Sequence, residues 1–129
     1  MKISDYENAI NNFQRGLEIQ INILGQEHPE VAHSLNSIGV AWEKKGDNEK
    51  ALEFFHKCLD IRLKILGNHH PDVGETYFLI GSLWNNKLEY DRALEFFQKG
   101  LEIELNKLGD QDPEIAFKEV VGRSGITAP

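Results

Sequence analysis

The chain has 129 residues, enough for one domain with a continuous apolar core. Its formal net charge of −7, with 40% hydrophobic and 27% charged residues, is that of a globular protein in water and lacks the basic stripe of a nucleic-acid binder. No run approaches the roughly 18 apolar residues of a membrane helix, the start "MKISDYENAI" has no secretion-signal core, and the one cysteine, Cys58, permits no internal disulfide. The expectation is therefore a cytoplasmic protein without nucleic-acid or membrane partners.

The first predicted helix runs from about Asp5 to Leu24, with Ala9, Ile10, Phe13, Leu17, Ile21 and Leu24 at helical spacing. Gly25 then reads as a helix stop and Pro29 as a favoured first helical residue. A shorter helix is predicted from Pro29 to Lys45, with Val31, Leu35, Ile38, Gly39 and Trp42 on one face. The turn "KKGDN" leads into a longer helix from Asn48 to Leu66 that carries Ala51, Leu52, Phe55, Cys58, Leu59, Leu63 and Leu66. The next short helix spans about Pro71 to Lys87, with Val73, Tyr77, Ile80, Gly81 and Trp84, and the next long one about Tyr90 to Leu108. Pro113 opens a last short pattern that fades. Glu119, Gly122 and Arg123 stand where Leu35, Ile38 and Gly39 stand earlier, and "GRSGITAP" reads as frayed coil.

The short (A) and long (B) helices repeat with a fixed period. Ala9, Ala51 and Ala93 are 42 residues apart, as are Gly25, Gly67 and Gly109 and the prolines Pro29, Pro71 and Pro113. A period of this size marks a repeat architecture. The copies also show what each slot tolerates. His69-His70, which in isolation suggests a metal site, is replaced by Glu27-His28 and Gln111-Asp112 in the other copies. Asp is a favoured helix N-cap, and Glu30, Asp72 and Glu114 follow where the helix dipole favours negative charge. The histidine turn is thus expected to separate helices rather than hold a metal. Gly39 and Gly81 cost roughly 1 kcal/mol each inside a helix. Their recurrence implies that another backbone approaches there, with Ala51 and Ala93 at the facing slot.

In these slots the chain resembles the tetratricopeptide repeat family. Leu35, Ile38-Gly39 and Trp42, then Tyr77, Ile80-Gly81 and Trp84, are similar to its first-helix pattern. Ala51, Phe55 and Cys58, then Ala93, Phe97 and Gly100, are similar to its second. The ordinary unit is about 34 residues; the longer period with "LG…HP" is similar to the kinesin light chain type. The resemblance implies an all-α, right-handed α-solenoid of antiparallel helix pairs over residues 1–122. Half-unit 5–25, full units of about 29–67 and 71–109 and a degenerate half-unit 113–122 would precede a tail at 123–129. It also implies a non-catalytic module with no cofactor that binds a protein or peptide in the concave groove of the A helices.

The face of each A helix opposite its apolar stripe would line that groove: His33, Asn36, Ser37, Val40 and Lys44, then Glu75, Phe78, Leu79, Ser82 and Asn86. Phe78 and Leu79 fall outside the apolar stripe and read either as exposed binding anchors or as residues that pack against the next A helix. Asn36 is placed to hydrogen-bond a peptide backbone. Cys58 shares the small slot of Gly16 and Gly100 and reads as buried packing. The first B helix keeps its siblings' apolar face but has no A partner in this sequence, so the expectation is that it pairs with another copy across a two-fold axis, the self-assembly alternative, or else that the native chain continues upstream. A metal-dependent enzyme built on the histidine turns is remote, because no nucleophile–base pair or spaced ligand set accompanies them.

Overall fold

The computed structural model of the chain describes residues 3–107. The expected half-unit 113–122, with Glu119, Gly122 and Arg123, and the tail 123–129 lie outside the described residues. Five helices follow one another: α1 (Ile3–Leu24), α2 (Pro29–Lys45), α3 (Asn48–Leu66), α4 (Pro71–Asn86) and α5 (Tyr90–Lys107). The described residues contain no strand. Each helix packs chiefly on the one before and the one after it. The contacts within the pairs α2–α3 and α4–α5 are more extensive than those between pairs. The fold is an all-α helical-repeat solenoid.

Local chemistry sets the boundaries. Each A helix starts at a proline that follows a histidine, and in both turns the histidine is the N-cap. His28 Nδ1 accepts the Glu30 N–H and His70 Nδ1 accepts the Asp72 N–H, each at 3.1 Å. The turn into α3 is capped by Asp47, whose Oδ1 accepts the Lys50 N–H at 3.0 Å. Gly25, Gly46 and Gly67 all have φ between 84° and 97°, where a side chain is strained. Leu88 occupies the slot of Gly46 one period later and still adopts φ 63°, with its side chain 70% exposed.

The core is a ladder along the inner faces of the helices. Ala51, Phe55, Val73, Ile80 and Leu83 are each 0% exposed and belong to one cluster, against which Val40, Trp42, Tyr77 and Trp84 pack. A second cluster of Val31, Ala32, Leu35 and Cys58 takes in Leu17 and Ile21 from α1. The close approach at the helix-interior glycines is made mainly by rings. A Cβ on Gly39 would stand 2.6 Å from the Phe55 ring, and one on Gly81 would stand 2.8 Å from Phe97. At Gly81 a backbone atom also crowds the position, Ala93 O at 3.3 Å. The expected backbone approach at the alanine slot is therefore seen at Gly81, and at both glycines an aromatic ring also occupies the space that a side chain would need.

Polar contacts repeat with the same period. Lys45 pairs with Glu7 at 2.9 Å and lies over the Trp42 ring, and one unit on Lys87 pairs with Glu49 and lies over Trp84. Lys64 pairs with Glu27, and its counterpart Asn106 meets His69 at 3.4 Å. Ser34 Oγ donates to Gln20 Oε1 at 2.5 Å, and the same slots one unit on hold Thr76, whose Oγ1 accepts from the buried Arg62 Nη1 at 2.9 Å. The slot geometry persists while the chemistry changes. The exposed ion pairs contribute little, so apolar packing carries the stability.

Truncating Phe55 to Ala is expected to cost about 3–5 kcal/mol, the range for a buried aromatic, read from urea unfolding followed by circular dichroism. Gly16→Ala should stabilise by about 0.5–1 kcal/mol, because Gly16 is mid-helix and a Cβ there meets nothing within 4 Å. The same change at Gly81 should destabilise. Equal responses at the two glycines would contradict the assigned faces.

The capping role of the histidines makes a second prediction. His70→Ala should lose roughly 1 kcal/mol, whereas the double change His69→Asn, His70→Asn should leave the melting temperature within a degree or two, since Asn caps as well. A melting temperature that rises with equimolar zinc in the wild type but not in the double variant would contradict it.

Candidate functional site

The A helices place the predicted groove residues at unequal depths. On α2, His33 and Lys44 are exposed, and Asn36, Ser37 and Val40 are half-buried. On α4, Glu75, Ser82 and Asn86 are exposed, but Phe78 and Leu79 are half-buried. Those two are not free anchors. Phe78 lies across Gly100, where a Cβ would meet its ring at 2.9–3.1 Å, and stacks at a tilt on Phe97 with centroids 6.3 Å apart. Leu79 packs against the main core cluster. The physical reason is that a helix inside a solenoid has two packed faces, one toward its own partner and one toward the neighbouring unit. A residue outside the main apolar stripe can therefore still be covered.

The corresponding slots of the two units balance in size. Where α4 and α5 hold Phe78 and Gly100, α2 and α3 hold Asn36 and Cys58. Asn36 thus stands where a ring would be, and its Oδ1 is buried without a hydrogen-bond partner among the described residues. Such an atom costs about 1–3 kcal/mol if nothing bonds it.

Four of the predicted residues converge. Asn36, Ser37, Val40 and Lys44 line one cavity of about 310 Å³ together with Ala41 and with Tyr6, Ala9 and Phe13 of α1. Its α1 wall is apolar and its α2 wall mixed. Ser37 Oγ is engaged within the helix, donating to His33 O at 3.2 Å. Phe13, at 42% exposure, is the open edge. Glu75, Ser82 and Asn86 do not join this cavity, nor does His33.

The other side of the solenoid holds a feature that residue-by-residue reading missed. A cavity of about 470 Å³ lies between α1 and α3 above Val31 and Leu35, rimmed by Glu27, Lys57, Asp60 and Lys64. Its counterpart one unit on, lined by Leu63, His69, Tyr77, Lys99, Glu102 and Asn106, is smaller at about 350 Å³. Tyr77 there occupies the slot of Leu35. The signal was present in sequence as the same slots recurring 42 residues apart around both cavities.

Ionisable groups show no catalytic arrangement among the described residues, and no group of three or more His, Cys, Asp or Glu clusters as a metal site there. Burial pushes the Cys58 thiol up, partly offset by the Arg62 guanidinium and a hydrogen bond with Thr76, which leaves it a poor nucleophile. The Glu43 carboxyl is also raised by burial, against the pull of Lys44, and the Tyr77 hydroxyl is raised by burial alone. No helix among the described residues is long and apolar enough to cross a membrane.

The repeat geometry has solved counterparts. The chain superposes on BtubC (BKLC) from P. vanneervenii with a TM-score of 0.75 at 20% identity, covering 95% of this chain and 51% of that one. It superposes on a kinesin light chain candidate of nearly identical TPR-like repeats from Podosopora anserina with a TM-score of 0.72 at 19% identity, covering 92% and 57%. The chain thus spans about half the length of these structures. No curated protein matches it by sequence. The tetratricopeptide repeat profile matches residues 42–106, from the end of α2 through α5, and the chain belongs to the tetratricopeptide repeat family.

Proposed function

We propose that the chain is a non-catalytic binding module that takes a peptide or a helix of a partner protein on the face formed by its A helices. Tetratricopeptide folds generally mediate protein–protein interaction or scaffolding, and the finer reading rests on one observation. The cavity between α1 and α2 combines an apolar wall, a buried acceptor without a partner among the described residues and a lysine at its rim. Apolar lining with a few convergent polar groups is the usual make-up of a recognition site. Asn36, Val40 and Lys44 are its centre. Phe78 and Leu79 support the scaffold beneath the continuing face, on which Glu75, Ser82 and Asn86 offer polar contacts. A cytoplasmic location without a nucleic-acid partner is part of the same proposal, supported by the net charge of −7 and the single cysteine.

A second reading is self-assembly through α1. It is favoured by the exposure of Phe13, Ile19 and Ile23 at 42%, 59% and 74%. A two-fold pairing of such faces would close the assembly, whereas head-to-tail stacking would extend it.

Peptides selected from a display library on the wild-type chain should bind at least tenfold more weakly to an Asn36→Ala, Lys44→Glu variant. They should respond little to Lys57→Glu on the opposite side. Selected peptides that ignore the first variant and depend on the second would place recognition in the cavity between α1 and α3 and contradict the proposal.

A further inference from the structure

The repeat supplies an internal template for the larger cavity, the one between α1 and α3. Every residue that lines the smaller cavity one unit on stands in a slot that also lines the larger, 42 residues earlier. Three slots line the larger cavity alone, those of Leu17, Val31 and Phe54. Their counterparts are Leu59, Val73 and Phe96, the same residue types, so the floor itself does not differ. What differs above it is the slot of Leu35, which holds Tyr77 in the second unit. The Tyr77 ring lies beside Phe96, with centroids 6.2 Å apart and planes tilted by 38°. A phenol ring thus takes up the floor of the smaller cavity, of about 350 Å³, and the shorter Leu35 leaves the floor of the larger, of about 470 Å³, open.

The groups that face the Tyr77 ring are kept in the first unit. Lys99 Nζ lies 5.7 Å from the Tyr77 centroid and 5.4 Å from that of Phe96. One unit earlier, Lys57 Nζ lies 5.0 Å from the Phe54 centroid. An ammonium held over an aromatic face attracts it through the negative π cloud. The first unit therefore carries the cation, the neighbouring ring and the apolar floor of an aromatic seat, with an isobutyl group in the slot of the phenol. The seat does not depend on where the chain starts. The smaller cavity has α1 and α2 before it and is open in the same place, so a preceding unit does not fill a cavity of this kind.

We propose that the cavity between α1 and α3 binds a small neutral aromatic molecule, of the size of a phenol, in the place that Tyr77 takes one unit on. An apolar cavity of about 150 Å³ lined by Leu, Ile and Phe already holds benzene, and about 470 Å³ is within the range of small-molecule sites. The rim balances Lys57 and Lys64 against Glu27 and Asp60, which favours a neutral ring over an anion. The Lys64–Glu27 pair joins α3 to the turn before α2 across that rim, which favours a free ring over one carried on a polypeptide. The site lies on the side away from the A-helix groove, so the proposal does not rest on the binding-module reading.

The probe is 4-methylphenol, the tyrosine side chain as a free molecule, titrated into the full 129-residue protein and followed by methyl NMR. The expected result is saturable shifts at the Val31, Leu35 and Ile61 methyls, with one site per chain. 4-Methylcyclohexanol has the same outline without a π face and should bind at least about threefold more weakly, as should 4-methylphenol to Lys57→Met. Leu35→Tyr puts the second unit's ring into the first and should abolish binding. Tyr77→Leu should do the reverse and create a second site, with new shifts at Val73 and Ile103. Circular dichroism verifies each fold. Tyr77→Leu only introduces the residue that the first unit already carries, so it decides the question where Leu35→Tyr does not fold. Absence of saturable shifts, binding that persists in a folded Leu35→Tyr, or a single site in Tyr77→Leu overturns the inference. Equal binding of the cyclohexanol also overturns it. So does a library peptide that displaces 4-methylphenol and binds at least about tenfold more tightly, since the seat would then belong to a partner's side chain.

Discussion

The structure depends on an aromatic ring lying against a bare helix backbone. Phe55 on Gly39 and Phe97 on Gly81 bring the A and B helices of each unit closer than any side chain at the glycine would allow. The glycine lowers the helix propensity of α2 and α4 by roughly 1 kcal/mol each. Full burial of the Phe55 side chain offsets this with about 1.5–3 kcal/mol. Once that distance is set, the indole rings of Trp42 and Trp84, the lysines above them and the turn lengths follow in register. Phe13 stands in the slot of Phe55 and Phe97 but is 42% exposed among the described residues.

The two faces of the solenoid arise differently. The chemistry of the A-helix face varies between units, with Asn36 in the slot of the packed Phe78, Ser37 in that of the packed Leu79 and Val40 in that of the exposed Ser82. The opposite face carries a cavity in each of two successive units, with Leu35 lining the larger and Tyr77, in the same slot, lining the smaller. Contacts between units are polar at their rims and swap partners while keeping position, as Lys64–Glu27 and Asn106–His69 show. Such rims tolerate substitution, whereas the ring-on-glycine core does not.

Much of this was legible in the sequence because the elements are punctuated by residues with strong backbone preferences. Pro29 and Pro71 open helices and Gly25, Gly46 and Gly67 close them, so α2 and α3 start and stop where the periodicity places them. The reading of His28 and His70 as helix caps also follows from sequence, because a third copy with Asp in the slot shows what the slot requires. Three features were not legible. The half-burial of Phe78 depends on Gly100 of another helix, although the recurrence of a small residue in that slot was a usable hint. The ring facing Gly39 depends on a side-chain rotamer, which helix periodicity does not specify. The burial of the Asn36 Oδ1, without a hydrogen-bond partner among the described residues, depends on how the neighbouring helix closes over it, which helix periodicity does not specify. Four of the expected groove residues, Asn36, Ser37, Val40 and Lys44, line one cavity because helical spacing alone puts them on one side of α2.

A double-mutant cycle on Gly39→Ala and Phe55→Leu tests the central contact most directly, with unfolding free energies measured by urea titration. The account predicts that the alanine destabilises by about 1–3 kcal/mol when Phe55 is present, as overpacking does. It should cost little, or even stabilise, when Leu replaces the ring, for a coupling of at least about 1 kcal/mol. Equal alanine penalties in the two backgrounds would show that the ring does not dictate the glycine and would contradict the account.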